Sequence, residues 1–380
     1  MKRYVFIFLA AALIITAIYS NNISIDSYKA AAVDKNQYED KEKLVLSFIE
    51  KNLLDKNGGI AAKLGNPGQN KNTLSESVGI LMQYSVLKNR KDIFDRELNF
   101  AGRNLFYIPT DSSNGKSVFI KWENGGNKTT CGAAIDDLRI AGALLDAYDK
   151  WGSEKYYNMA GFIQSGLYEK QTFDNNLCEL YDWKYDLTRS TMPLCYFDFY
   201  TLGRLERFNQ NWRVVSDKGM SIVRDGFIGK GSPFFYKYYD YKTRKYSMDE
   251  ESKQINGISL VYVLYTAIHM AESNEDTGLM TQWLKSELSK GKIYAWYNPV
   301  TFKPAQNYDN TAVYALAAVY AHRAGEYLLY KDLINKMLGL MITDENSPYY
   351  GGFGNAATGE FYSFDNLTAL YALGLGGERQ

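Results

Sequence analysis

The stretch Asp365-Asn-Leu-Thr-Ala-Leu-Tyr-Ala-Leu373 reads as a helix start: a polar opening, then small and apolar residues on most sides. A helix of that kind has no solvated face and must be buried. It has an echo upstream, Asp309-Asn-Thr-Ala-Val-Tyr-Ala-Leu316. Looser copies begin at Glu76, Asp136, Tyr196 and Asn256, so successive starts lie 60, 60, 60, 53 and 56 residues apart. Between them run more polar, amphipathic segments (91–104, 154–165, 211–224, 277–290 and 326–340), with 41–54 ahead of the first start. A fixed period of this length marks a repeat architecture. Six helical hairpins, each an outer amphipathic and an inner apolar helix, predict an all-α (α/α)6 barrel over residues 35–376, with small β-hairpin inserts in its loops. Parallel inner helices would gather their N-termini at one face, where partial positive charge favours carboxylates.

Composition narrows the function. The 380 residues carry 43 basic and 43 acidic side chains, so no charge excess points to nucleic acid. Aromatics reach 15 %, with 32 Tyr and 6 Trp, enough for loop clusters that stack on sugar rings as well as for a core. Residues 1–20 combine a basic start with an apolar run of signal-peptide length, which predicts a signal peptide or N-terminal anchor followed by a linker, 21–34. The barrel is then secreted or held on the outer side of the cytoplasmic membrane. No cysteine lies near residue 20, which argues against a lipid anchor, and Cys131, Cys178 and Cys195 are too few for a disulfide scaffold. A monomer is expected.

The only two histidines, His269 and His322, fall in apolar helical runs. That scarcity argues against a Ser-His-Asp triad and against histidine-rich zinc sites. Phosphate-loop and dinucleotide fingerprints are missing as well, so no cofactor and no metal is expected. Chemistry in this chain must run on carboxylates. Glu76 is the first candidate, and Thr73 three residues ahead of it has capping-box spacing, which would make Glu76 a helix cap instead.

The segment from Val118 to Trp151 resembles glycoside hydrolase family 8, whose pattern is a loop tryptophan, then A-[ST]-D-[AG]-D-x-x-[IM]-A and a closing aromatic. Trp122, Ala133, Asp137, Ile140, Ala141 and Trp151 fall in register with it. Leu74–Met82 is similar to the family's S-E-G-Q-x-Y-G-M segment, whose glutamate is the general acid, and Met192–Asp198 to its N-P-S-Y-F helix start. The resemblance runs over nearly the whole chain and implies the same (α/α)6 barrel, endo-acting and inverting hydrolysis of a β-linked polysaccharide, and among such enzymes the PssZ-type hydrolases that trim bacterial exopolysaccharide in the biofilm matrix. Two departures stand out. The first aspartate of the motif is Ile135 here, with Asp136 in the next place, and the family segment bearing the base in many members has become Ile255-Asn-Gly-Ile-Ser259. An amide at Asn256 cannot take a proton from water, so the base must lie elsewhere.

The expected site follows from these readings. Glu76 is the acid, Asp136 or Asp137 holds the hydroxyls of the distorted sugar, and Asp240, in the aromatic segment 232–246, is the base, with Asp249, Glu250 and Glu251 as competitors. Asp240→Asn is on this reading expected to abolish hydrolysis. Trp122 offers a stacking platform, Trp183 with Tyr181 and Tyr185 a second one or a hydrophobic cover, and Tyr196 and Asn256 further substrate contacts. Two other readings of the same barrel stay open: a polysaccharide lyase or unsaturated-uronide hydrolase, and a barrel that only binds glycan.

Overall fold

The computed structural model describes residues 38–65, 71–109, 117–125 and 129–377. The expected signal segment, 1–20, and linker, 21–34, lie outside the described residues.

Six inner helices form the wall of the barrel: α2 (Ser75–Leu87), α4 (Ala134–Trp151), α6 (Phe199–Leu205), α9 (Leu260–Glu272), α11 (Thr311–Arg323) and α13 (Ser363–Leu375). Each packs on the next and α13 returns to α2, which closes the ring. The outer layer is α1 (Glu39–Phe48, continued by a wider turn, Ile49–Leu53), α3 (Lys91–Asn104), α5 (Glu154–Lys170), α7 (Asn211–Asp225), α10 (Gly278–Ser289) and α12 (Tyr327–Leu338). A short helix, α8 (Glu250–Ile255), sits in the connection before α9. The (α/α)6 reading of the repeat is therefore the architecture observed.

The residue pattern explains the layering. In α3 the buried side chains are Ile93, Phe94, Glu97, Phe100 and Ala101, a stripe at helical spacing, while α11 is buried from Thr311 to His322 without a solvated face. Small residues set the closeness of the inner ring. A Cβ at Gly142 of α4 would stand 2.4 Å from Thr201 Oγ1 of α6, and one at Gly79 of α2 would stand 2.9 Å from the Arg139 side chain. Two- and three-stranded pieces decorate the loops, and the strand 63–64 pairs with 361–362, joining the first hairpin to the last. Among the described residues no helix is long and apolar enough to cross a membrane. Cys131, Cys178 and Cys195 are free thiols.

One inner helix departs from the period. The chain at Leu194–Tyr196 makes a single tight turn, continues extended through Asp198, and only then forms α6, which is seven residues long. The helix therefore begins partway down the barrel, with Asp198 capping it by accepting from the Thr201 amide at 2.9 Å. The start expected at Asn256 is also displaced. Asn256 has φ of 53° and ends α8, and the inner helix begins four residues later. Asparagine tolerates this left-handed conformation better than most residues.

Candidate active site

The N-terminal ends of α2, α4 and α9, with the turn ahead of α6, surround a cavity of about 410 Å³. Its lining includes Glu76, Trp122, Asp136, Glu179, Tyr196 and Tyr265. The first three and Tyr196 are among the residues singled out in the sequence. The sequence does not reveal Glu179, Tyr265 or Arg139, which also faces the cavity.

Glu76 sits in the first turn of α2 without the capping box that its spacing suggests. Thr73 Oγ1 accepts instead from the Ile60 amide at 2.8 Å, and no side chain caps the helix. That leaves the Glu76 carboxyl turned to the cavity. Burial, then the nearby Asp136 charge, push it up to about 7, with Arg139 opposing. A carboxylic acid with such a value keeps a large share of its protons up to neutral pH and can give one to a leaving oxygen.

Asp136, in the first turn of α4, is fixed at both oxygens. Ser75 Oγ donates to Oδ2 at 2.7 Å and Arg139 Nη1 to Oδ1 at 2.7 Å. Burial raises its pKa, and Arg139 and Ser75 pull the other way. Arg139 lies one turn along the same helix, the usual spacing for a helical ion pair, and its guanidinium also stands 5.6 Å from the Tyr265 ring centroid. The result is a carboxylic acid and a clamped carboxylate side by side, tuned by one buried cation.

Trp122 is 42 % exposed and lines the cavity as a platform. Its carbonyl accepts from the Ser75 amide at 3.0 Å, which ties the platform to the first turn of α2 beside Glu76. Tyr196 presents its ring from the turn before α6, with its hydroxyl pKa raised by burial and then by neighbouring Cys195 and Asp136.

Four expected site residues are not where the sequence suggests. Asp137 is buried outside the cavity lining, its pKa raised well above its ordinary value by burial and then by Asp136. It faces Gly132 and the strand 119–120, where it braces the loop carrying Trp122. Trp183 stacks on Tyr107 at 4.9 Å between ring centroids and tilts against Phe119, outside the cavity lining; it is hydrophobic cover. Asn256 is exposed away from the cavity, where its carbonyl accepts from Asn298 Nδ2 at 3.1 Å. Asp240 ends the strand Tyr238–Asp240 and closes its own hairpin turn, accepting from the Thr243 amide at 2.7 Å, Thr243 Oγ1 at 3.1 Å and Ser190 Oγ at 3.2 Å. These bonds hold its pKa below the usual carboxylate value, and it lies outside the cavity lining. The expectation for Asp240 therefore reverses: Asp240→Asn should keep turnover within about twofold of wild type and lower stability by about 1 kcal/mol through the weakened turn, measured by reducing-end assay and thermal unfolding. The competitors fare no better. Asp249 is paired with Lys237 and caps α8 through the Ser252 amide, and Glu250 pairs with Lys253 in solvent.

One carboxylate that no motif announces does line the cavity. Glu179 comes from the loop between the strands 176–177 and 181–182. Its amide donates to the Thr191 carbonyl at 2.9 Å, and its carbonyl accepts from the Ala134 amide at 3.0 Å, at the start of α4. Thr191 Oγ1 holds one carboxylate oxygen at 2.9 Å, and the group remains partly exposed.

No protein-family profile matches the chain. It is 27 % identical over 328 residues to the putative lipoprotein YdaJ of Bacillus subtilis, covering 86 % of this chain and 84 % of that one. Among solved structures, a novel α-amylase from Clostridium perfringens superposes with a TM-score of 0.79 at 28 % identity, over 88 % of this chain and 97 % of that one. PssZ from Listeria monocytogenes gives 0.69 at 23 % identity, over 87 % and 94 %. The endoglucanase Cel10 of Klebsiella pneumoniae, a family 8 glycosyl hydrolase, gives 0.61 at 18 % identity, over 88 % and 99 %. With superpositions covering 87–88 % of its length, the chain has the fold of the family 8 glycoside hydrolases.

Proposed function

We propose that this chain is an exported endo-acting glycoside hydrolase that cleaves a polysaccharide with inversion. The observation that carries the reading is the pair in the cavity: Glu76, its pKa raised to about 7 by burial, beside Asp136, held at both oxygens by Ser75 and Arg139. Glu76 donates its proton to the glycosidic oxygen as the bond breaks. Asp136, its orientation set by Ser75 and Arg139, accepts from hydroxyls of the distorted sugar as positive charge grows on the ring. Inversion also needs a base on the opposite ring face, with the two carboxyls about 6.5–9.5 Å apart to admit a water. Glu179 takes that role: it is the remaining carboxylate of the cavity lining among the described residues, and one of its oxygens is free of Thr191. The sugar next to the cleavage point stacks on Trp122.

Relatives support the substrate class and leave the linkage to experiment. The resemblance to PssZ-type hydrolases favours an exopolysaccharide substrate, whereas the similar Clostridium perfringens structure is an α-amylase. The test is incubation of the exported domain with β-glucan, chitosan, xylan and bacterial exopolysaccharide, alongside starch and glycogen, with product masses and the anomer formed first read by mass spectrometry and NMR. New reducing ends of inverted configuration support the reading. Products absorbing in the near ultraviolet would mark a lyase, and binding without cleavage a degenerate barrel. Tethering by residues 1–20, rather than by a lipid, is the corresponding proposal for location, since YdaJ is named a lipoprotein but no cysteine lies near residue 20 here.

Trp122→Ala should raise KM about tenfold, near 1.4 kcal/mol, with kcat changed less than threefold. Stacking of this kind is present equally in the ground and transition states. Steady-state kinetics on a defined oligosaccharide decide it.

A further inference from the structure

The barrel holds a second, larger cavity of about 890 Å³, lined by the later turns of the inner helices. Arg139 and Tyr265 line both cavities and so form the floor of one and the roof of the other. Along α9, Tyr262 faces the first cavity and Tyr265 both, whereas His269 and Glu272 face the second, about 10 and 15 Å further along the helix from Tyr262. Three side chains converge there: Asp198, His269 and Glu272, whose donor atoms all lie within 4.8 Å of one another.

The state of the imidazole is what sets this cluster apart. His269 is 7 % exposed, and neither ring nitrogen makes a hydrogen bond to the protein; Nδ1 stands 3.5 Å from Glu272 Oε2. Buried polar groups are otherwise nearly always satisfied. The second histidine, His322, is 5 % exposed, lines the same cavity, and also leaves its Nδ1 without a bond. The surrounding charge favours a cation. Asp198 and Glu272 bring two negative charges; Arg323 Nε, 3.0 Å from Glu272 Oε1, offsets one of them, and Arg139, which also acts on Asp198, is itself paired with Asp136. The last turn of α9, where His269 and Glu272 lie, adds the negative end of a helix dipole. Asp198 is oriented by Thr201 through both oxygens, each of which keeps a lone pair.

We infer that Asp198, His269 and Glu272 form a divalent transition-metal site that joins the start of α6 to the end of α9 beneath the catalytic cavity. One imidazole and two carboxylates suit Zn²⁺ or Mn²⁺, with water completing the shell. Tetrahedral donors at about 2.1 Å from an ion lie about 3.4 Å apart, so the three groups need to close by only about an ångström. The floor separates the ion from the sugar, and its role is to hold the short α6 in place.

The test uses the purified protein after EDTA treatment and gel filtration. Isothermal titration with Zn²⁺ and with Mn²⁺, metal analysis after re-dialysis, and thermal unfolding with and without each ion are measured on wild type, His269→Gln, Glu272→Gln and His322→Gln. One equivalent bound and a rise in Tm of several degrees are expected for wild type and His322→Gln, and loss of both in His269→Gln and Glu272→Gln. Circular dichroism checks that the variants fold, and wild type alone decides if they do not. Absence of saturable uptake by wild type overturns the site. Uptake that survives His269→Gln but is lost in Cys131→Ser also overturns it, by assigning the ion to a thiol.

Discussion

Glu76→Gln should lower kcat/KM by about 10²–10⁴-fold, the usual contribution of a general acid, with the far-ultraviolet spectrum unchanged. The amide keeps the volume and the position of the carboxyl at the first turn of α2, so nothing in the packing needs to move. What is lost is the proton for the leaving oxygen. A substrate with a good leaving group, such as an aryl glycoside, should recover most of the rate, because it departs without protonation; uniform loss on all substrates would make Glu76 a binding residue. The pH profile gives a second readout. With its pKa near 7, Glu76 loses its proton as pH rises, so the alkaline limb of kcat/KM in wild type should fall with a midpoint near 7. Stability follows the same sign. The folded pKa lies above the unfolded value of 4.5, so the folded state holds this proton more tightly, and wild type loses stability as pH climbs from about 4.5 through 7. Glu76→Gln has no such proton, and its Tm relative to wild type should rise between pH 6 and pH 8.

The barrel was legible because burial in this fold is periodic. An inner helix shielded on all sides shows as a run of small and apolar residues, and six such runs at a near-constant interval leave few other closures. The exceptions have local causes: α6 begins late because Phe197 and Asp198 stay extended before Asp198 caps the helix, and α9 begins late because Asn256 turns the chain at positive φ. Half of the site was legible as well. Glu76, Asp136, Trp122 and Tyr196 sit at or near helix starts, and helix starts are what the period locates. Arg139 could have been found from its spacing to Asp136, since the two share a helix face. Asp240 misled because an aspartate among tyrosines looks the same in a cleft wall as in a hairpin turn, and only the bonds to Thr243 and Ser190 tell them apart. Trp183 misled similarly: exposure of an aromatic loop cannot be read without Tyr107, its stacking partner, 76 positions away. Glu179 was invisible because nothing local marks it. Its place in the cavity comes from pairing with Thr191 and with the start of α4.

That pairing makes Glu179→Gln the sharper test of mechanism, with an expected fall in kcat of about 10²–10⁴-fold and KM little changed. A glutamine can still hydrogen-bond Thr191 Oγ1 and still hold a water, but it cannot take the water's proton. Substrate binding and the Glu76 proton are untouched, so the loss should appear for aryl glycosides and natural polymers alike, in contrast to Glu76→Gln. The alkaline limb near 7 should stay in the variant, because it belongs to Glu76. Added azide supplies a nucleophile that needs no deprotonation: it attacks the anomeric carbon from the water's side, the leaving oxygen takes the Glu76 proton, and a glycosyl azide of inverted configuration forms. Rescue of that kind fixes Glu179 on the face opposite Glu76. Near-normal turnover in Glu179→Gln would instead remove it from the chemistry and return the role of base to the loop that carries Asp249, whose release from Lys237 would then have to accompany substrate binding.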